Sequence, residues 1–281
     1  MFLRLEQKDT DMTKTYQSEN AVDTPASAPA IKDQIVLITG GARGLGRSLT
    51  TAFLRAGSKV VINYLTSKDA AESIVAEHPS QAVAIRADVC EADQVEELFA
   101  LSEAHFGAPV STVVNNALVD FSFNGDARSH AHEITVEDLG RQFFGAVGAA
   151  TRTTQAALAG FDRLGSGRII NIGSNLFQNP VVPYHDYTAA KAALLSLTRT
   201  FAVDLGPRAI TVNMISGGLL RTTDASSATP EAVFDAIAQG TPLQRVTTPE
   251  EFADTALFFA SPWARGVTGQ NLVVDGGLVK N

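Results

Sequence analysis

The sequence is short of the residues that build disulfides and metal clusters. Cys90 is the one cysteine in 281 residues. An intrachain disulfide is therefore excluded, and a reducing, cytoplasmic setting is expected. The predicted role of Cys90 is that of a small, buried or half-buried side chain. Five histidines are present. His130 and His132 share i, i+2 spacing, but no cysteine or further histidine lies near them, so no metal site is expected. No apolar run reaches the roughly 18 residues of a membrane-spanning helix. Positive charge is also scarce: 22 Lys and Arg stand against 30 Asp and Glu, a net charge of −8. That balance argues against nucleic acid or an anionic membrane as the main partner. Ile172-Gly173-Ser174-Asn175-Leu176 has neither glycine of a G-x-S-x-G nucleophile elbow. No internal repeat and no inter-domain linker stand out.

What is present is a sizeable apolar fraction, 45%, arranged as short apolar runs alternating with amphipathic stretches. This pattern predicts an α/β fold, a doubly wound parallel sheet of about seven strands with helices on both faces. Strands are predicted at 35–39, 59–64, 81–86, 111–115, 168–173, 209–215 and 271–275. Helices are predicted at 45–56, 67–77, 91–106, 135–160, 187–206, 230–239 and 249–260, the last opened by Pro249 with Glu250 and Glu251. Residues 1–30 are rich in Thr, Ser, Ala, Asp and Glu and lack periodicity, which predicts a disordered extension before one domain at 31–281. Met1 to Leu5 is too short for a secretory apolar core. Two long irregular stretches, 116–135 and 217–244, follow strand C-terminal ends, where open α/β sheets bind ligands.

Two clusters carry chemistry. The first is Thr39-Gly40-Gly41-Ala42-Arg43-Gly44-Leu45-Gly46, between the apolar run Ile35 to Ile38 and an amphipathic stretch. Strand, glycine-rich turn and helix form a cradle for a dinucleotide pyrophosphate: glycines admit the backbone, and the helix N-terminus supplies N–H donors. A P-loop is disfavoured, since Arg47 occupies the position of its lysine, and Arg is no neutral swap for that compact charge. The second cluster is Ser174 with Tyr187 and Lys191. The last two lie at i, i+4 and share a helix face. An ammonium beside a phenol is expected to lower a pKa that is about 10 when unperturbed, making Tyr187 a usable acid and base.

The G-x-x-x-G-x-G spacing of Gly40, Gly44 and Gly46, taken with Ser174, Tyr187 and Lys191, resembles the short-chain dehydrogenase/reductase family. Asp88-Val89, Asn115-Asn116-Ala117, Asn213 with Gly217-Gly218, and Val274-Asp275-Gly276-Gly277 match further landmarks of that family. The resemblance runs from about Lys32 to the C-terminus and is nearest to the 3-oxoacyl-acyl-carrier-protein reductases. It implies a catalytic trio of Ser174, Tyr187 and Lys191: Tyr187 protonates a carbonyl oxygen as hydride arrives from a nicotinamide, Lys191 holds ribose hydroxyls, and Ser174 orients the carbonyl. It assigns cofactor contacts to Gly40, Arg43, Gly44, Leu45, Gly46, Tyr64, Asp88, Val89, Asn115, Ala117, Tyr187, Lys191, Gly218 and Thr222.

The acid that NAD-preferring members carry at the end of the second strand is absent here, where Tyr64 aligns. With Arg43 in the turn, this favours NADP (NADPH). The implied function is carbonyl reduction, plausibly of a 3-oxoacyl thioester. Another ketone, a quinone or a pterin, or a non-catalytic NADPH-binding regulatory role, stay open. The implied partners are a small-molecule or acyl-thioester substrate and further copies of the chain, as a homodimer or homotetramer. The resemblance departs at three places. Ala146 stands where the family has a fourth catalytic residue, an Asn; Leu118 replaces the Gly of N-N-A-G; and Gly217-Gly218 replaces Pro-Gly.

Overall fold

The computed structural model describes residues 29–280, except residues 122, 224, 225 and 228. The expected N-terminal extension lies almost wholly outside the described residues. Seven strands form one sheet: β1 (Ile35–Ile38), β2 (Lys59–Tyr64), β3 (Ala82–Arg86), β4 (Thr112–Asn115), β5 (Gly167–Ser174), β6 (Ile210–Gly217) and β7 (Asn271–Val274). Their spatial order is β3-β2-β1-β4-β5-β6-β7. Every neighbouring pair is parallel. The order reverses between β1 and β4, which opens a crevice at their C-terminal ends. Strand ends fall within two residues of the sequence expectation, and β2 matches it at both ends.

Among the described residues, eight α-helices accompany the sheet: α1 (Gly44–Arg55), α2 (Lys68–Glu77), α3 (Ala92–Phe106), α4 (Val136–Phe143), α5 (Ala149–Leu164), α6 (His185–Leu205), α7 (Glu231–Gly240) and α8 (Pro249–Ala260). Successive strand residues point to opposite faces. Val36, Ile38, Val60 and Ile62 therefore pack under Leu49 and Phe53 of α1 and Phe252 and Phe259 of α8. Leu37, Val61, Val113 and Ile169 face the other way, onto Leu98 of α3, Phe161 of α5 and Leu205 of α6. Each fully buried side chain of this size contributes on the order of 1.5–3 kcal/mol. With helices on both faces, the central strands read as continuous apolar runs. The start foreseen at Pro249 carries a capping box, in which Thr248 Oγ1 accepts from the Glu251 N–H and the Glu251 carboxylate accepts from the Thr248 N–H.

One helix departs from expectation. The stretch predicted as continuous over 135–160 is two helices joined by a π-helical turn, Phe144–Gly148, and it runs on to Leu164. Gly145 sits in that turn against Val119, where a side-chain carbon would lie 2.7 Å from the Val119 Cβ. The turn brings the segment after β4 close to the helix. Among the described residues no helix is long and apolar enough to cross a membrane. His130 and His132 are exposed, and no group of three His, Cys, Asp or Glu among the described residues could hold a metal ion.

Candidate active site

All the candidate residues come from segments at the C-terminal edge of the sheet. The glycine-rich turn leaves β1 with left-handed backbone at Gly40 (φ 62°) and Gly44 (φ 51°), a region that side-chain-bearing residues rarely adopt. At Gly46 any added carbon would lie 2.1 Å from the Gly40 carbonyl oxygen. Helix α1 starts at Gly44 with Arg43 as its N-cap and no side chain capping it. Its first N–H groups and positive dipole end are thus presented toward the crevice, where a pyrophosphate would fit.

The turn is held by Thr39 and Asn116 of the two motifs and by Asn63, which the sequence did not single out. Asn63 of β2 is buried; its Oδ1 accepts from the Gly40 N–H, and its amide donates to Ala87 O at 2.9 Å. The Gly41 N–H donates to the Asn63 carbonyl. Asn116 donates from its side chain to Thr39 O and Gly40 O, while Thr39 Oγ1 accepts from the N–H groups of Asn116 and Ala117. Asn115 points inward instead: its Nδ2 donates to Asn171 and its Oδ1 accepts from Thr153. Asn116 belongs to the Asn115-Asn116-Ala117 landmark, whereas Asn63, at the end of β2, carried no sequence signal.

The remaining cofactor candidates fall into two groups. Asp88 is half-buried at the end of β3; its carboxylate accepts from the Cys90 N–H. Val89 is buried and Leu45 half-buried. Gly218 lies against Asn175 and Asp275, and Thr222 is exposed beyond it. Tyr64 corrects the expectation. Only 8% exposed, its side chain belongs to the core cluster under α1 and α2, because β2 is buried on both faces. Its backbone pairs with Arg86 of β3, whose guanidinium donates to Leu65 O. Arg43 and Arg86 are both exposed, and β2 ends without a carboxylate.

Ser174 closes β5, and its Oγ accepts from the Leu176 N–H. Tyr187 and Lys191 lie in the first two turns of α6 and are buried with it. Ser174 stands close enough to the Tyr187 phenol for its hydroxyl to favour the phenolate. Asn175, beside Ser174, donates to the buried Asp275 at 2.8 Å, and Asp275 also accepts from the N–H groups of Gly277 and Val279. The V-D-G-G run thus buttresses the Ser174 strand end.

The electrostatics overturn one expectation. Lys191 Nζ donates to Ile172 O at 2.7 Å and stands 5.6 Å from the Tyr187 ring centroid. Burial pushes the Tyr187 phenol up to about 12, and the Ser174 bond offsets only part of that. Burial pushes the Lys191 ammonium down to about 8. Desolvation outweighs the neighbouring charge, so the phenol is held in its proton-donating form. Catalytic efficiency for carbonyl reduction is therefore expected to be level below pH 7 and to fall above about pH 8, as Lys191 discharges while Tyr187 stays protonated. A kcat/KM profile from pH 6 to 10 checks this, and a level profile throughout would refute it. On stability the sign reverses. Between about 8 and the ordinary 10.5 the unfolded chain holds the extra Lys191 proton, so this residue's contribution to folding rises with pH.

Ala146 lies in the π-helical turn and faces Lys191 across a crevice also lined by Asn115 and Thr153. The space there is about 10 Å³, room for one water. Leu118 lines an adjoining crevice with Tyr187 and Ala190.

A family model described as enoyl-(acyl carrier protein) reductase matches residues 40–279. A 3-oxoacyl-[acyl-carrier-protein] reductase of Synechocystis is 34% identical over 257 residues, covering 89% of this chain and 98% of the relative. The chain belongs to the short-chain dehydrogenase/reductase family. Among its fellow members, the versicolorin reductase stcU of Emericella nidulans is 32% identical, over 88% of this chain and 96% of that one. The structure of a Serratia marcescens short-chain dehydrogenase/reductase mutant superposes with a TM-score of 0.77 at 29% identity, covering 89% of this chain and 99% of that one.

Proposed function

We propose that this short-chain dehydrogenase/reductase reduces a ketone to an alcohol using NADPH. The observation that carries the reading is the joining of Ser174 to a buried, proton-bearing Tyr187 beside Lys191, across the crevice from an uncapped helix N-terminus. The turn from Gly40 to Gly46 would hold the pyrophosphate, Asp88 and Val89 the adenine side, and Lys191 the nicotinamide ribose. When bound, the cofactor supplies the hydride. Ser174 orients the carbonyl oxygen toward the phenol. Tyr187 delivers its proton to that oxygen, and the Lys191 charge stabilises the negative charge left behind. The apolar surroundings that raise the phenol pKa also keep bulk water from the proton.

NADPH over NADH is supported by the exposed Arg43, the nearby Arg86 and the lack of a carboxylate at the end of β2. Arg43→Ala is expected to weaken NADPH binding by about tenfold or more, the loss of one charge-assisted hydrogen bond. NADH binding should barely change. Fluorescence titration with both cofactors measures this, and equal affinities in the unaltered protein would overturn the preference. The names of the relatives support a 3-oxoacyl thioester, but also other ketones, at nearly equal identity. Oxidation of NADPH in the presence of an acetoacetyl thioester, with Tyr187→Phe alongside, is the direct test of the reductase chemistry.

A further inference from the structure

The ring of Tyr187 is not alone in its pocket. Phe121 stacks on it, with centroids 4.7 Å apart and planes 22° from parallel. Phe123 meets it edge-on at 5.4 Å. Both phenylalanines also contact Tyr184, at 5.3 and 5.6 Å, and each other at 5.0 Å. Offset stacks and edge-to-face pairs are the favoured geometries of aromatic rings.

This wall is built rather than incidental. Buried Gln142 donates from its side chain to the carbonyls of Val119 and Asp120. Asp120 then turns the chain with left-handed backbone, φ 45°. Gly145 lets Val119 approach the π-helical turn. At the far end, the Gly125 N–H donates to the Tyr184 hydroxyl at 2.8 Å. Residues on either side of Phe121 and Phe123 are thus anchored by hydrogen bonds. Yet the two rings are only half-buried, unlike Tyr184 and Tyr187. Each phenylalanine therefore keeps part of its surface exposed. The adjoining crevice is lined by Ala117, Leu118, Val119, Gly145, Ala146 and Ala190, with Gln142, Tyr187 and Lys191 as its polar side chains.

We propose that the substrate is a ketone or quinone carried on a planar aromatic ring system, with Phe121 and Phe123 as the residues that select it. This rests on the reductase reading above and adds the substrate class. A flat ring placed against the open surfaces of Phe121 and Phe123 extends an aromatic stack that is already formed, and presents an attached carbonyl to Tyr187 and Ser174. A flexible acyl chain would cover the same surface without ring-to-ring geometry and would lose more rotational freedom.

The test compares 9,10-phenanthrenequinone and 1-tetralone with acetoacetyl-N-acetylcysteamine as NADPH-dependent substrates. The kcat/KM for a ring ketone should exceed that for the thioester by about tenfold or more. Phe121→Ala and Phe123→Ala should lower the ratio of the two efficiencies by about tenfold, mainly through KM of the ring substrate, and Phe121→Trp should preserve it. NADPH affinity serves as the folding control for each variant. A thioester turned over faster than both ring ketones, or variants that leave the ratio unchanged, would overturn the proposal. Calorimetric titration of 1-tetralone into the NADP-saturated protein separates this idea from the reductase reading. Binding that Phe121→Ala abolishes supports the aromatic site even where no carbonyl is turned over. Absence of binding to the unaltered protein sinks the site, whatever the thioester does.

Discussion

Tyr187→Phe is expected to remove carbonyl reduction while leaving NADPH affinity within about twofold. Loss of a positioned general acid costs on the order of 10²–10⁴ in rate. Here no neighbouring group is placed to take over: Ser174 lacks the acidity, and Lys191 Nζ is engaged with Ile172 O. The substitution keeps the ring, so the stack with Phe121 and the edge contact with Phe123 survive. It removes one hydroxyl and its bond to Ser174, a cost of about 1 kcal/mol, and Ser174 retains the Leu176 N–H. The folded state therefore persists, and a NADPH titration on the same sample will show it. Stopped turnover with intact binding identifies the phenol as the proton donor and shows that Ala146 is compatible with catalysis. Turnover that survives in the variant refutes the assignment. Absent turnover in the unaltered protein on every carbonyl, with NADPH still bound, moves the reading to a cofactor-binding regulator.

How much of this was legible in the sequence depends on the range of the interaction. The strand and helix order was legible, because alternating short apolar runs and amphipathic stretches are local signals. So were the glycine turn and the Ser174, Tyr187 and Lys191 grouping, whose spacings are fixed by one turn and one helix. The π-helical break at Phe144–Gly148 was not, since a single added residue in a small-residue helix leaves the apolar period almost unchanged. Tyr64 was misplaced for a different reason. Its strand is buried on both faces, so no alternation says which way a side chain points. The Tyr187 pKa was misjudged because burial raises it, and burial of a helix residue depends on a tertiary fold that i, i+4 spacing does not report. Asn63 and Gln142 act through partners 22 or more residues away, and Phe121 meets Tyr187 of α6 from the segment after β4.

Gly46→Ala is the second large effect, and it runs against local propensity. In an exposed helix, Gly to Ala stabilises by about 1 kcal/mol. Gly140, in α4, has open space around the position of a side-chain carbon, so Gly140→Ala should show that gain. At Gly46 the same carbon would lie 2.1 Å from the Gly40 carbonyl oxygen and 2.8 Å from Asn116 Nδ2. Backbone on one side and a doubly bonded amide on the other cannot both yield, because Asn116 is fixed to Thr39 O and Gly40 O. The first turn of α1 must move away from β1, at an overpacking cost of about 1–3 kcal/mol. That movement also withdraws the N–H groups meant for the pyrophosphate. Thermal unfolding should show Tm lowered by a few degrees without cofactor. The larger change should come with NADPH: at about 100 times Kd a bound ligand adds about 2.7 kcal/mol to folding, and in Gly46→Ala that added stability should vanish. A variant that keeps the full NADPH-induced rise in Tm would show that the turn does not cradle the cofactor. The substitution touches no catalytic candidate, so its failure to bind and the failure of Tyr187→Phe to turn over report on two separable halves of one site.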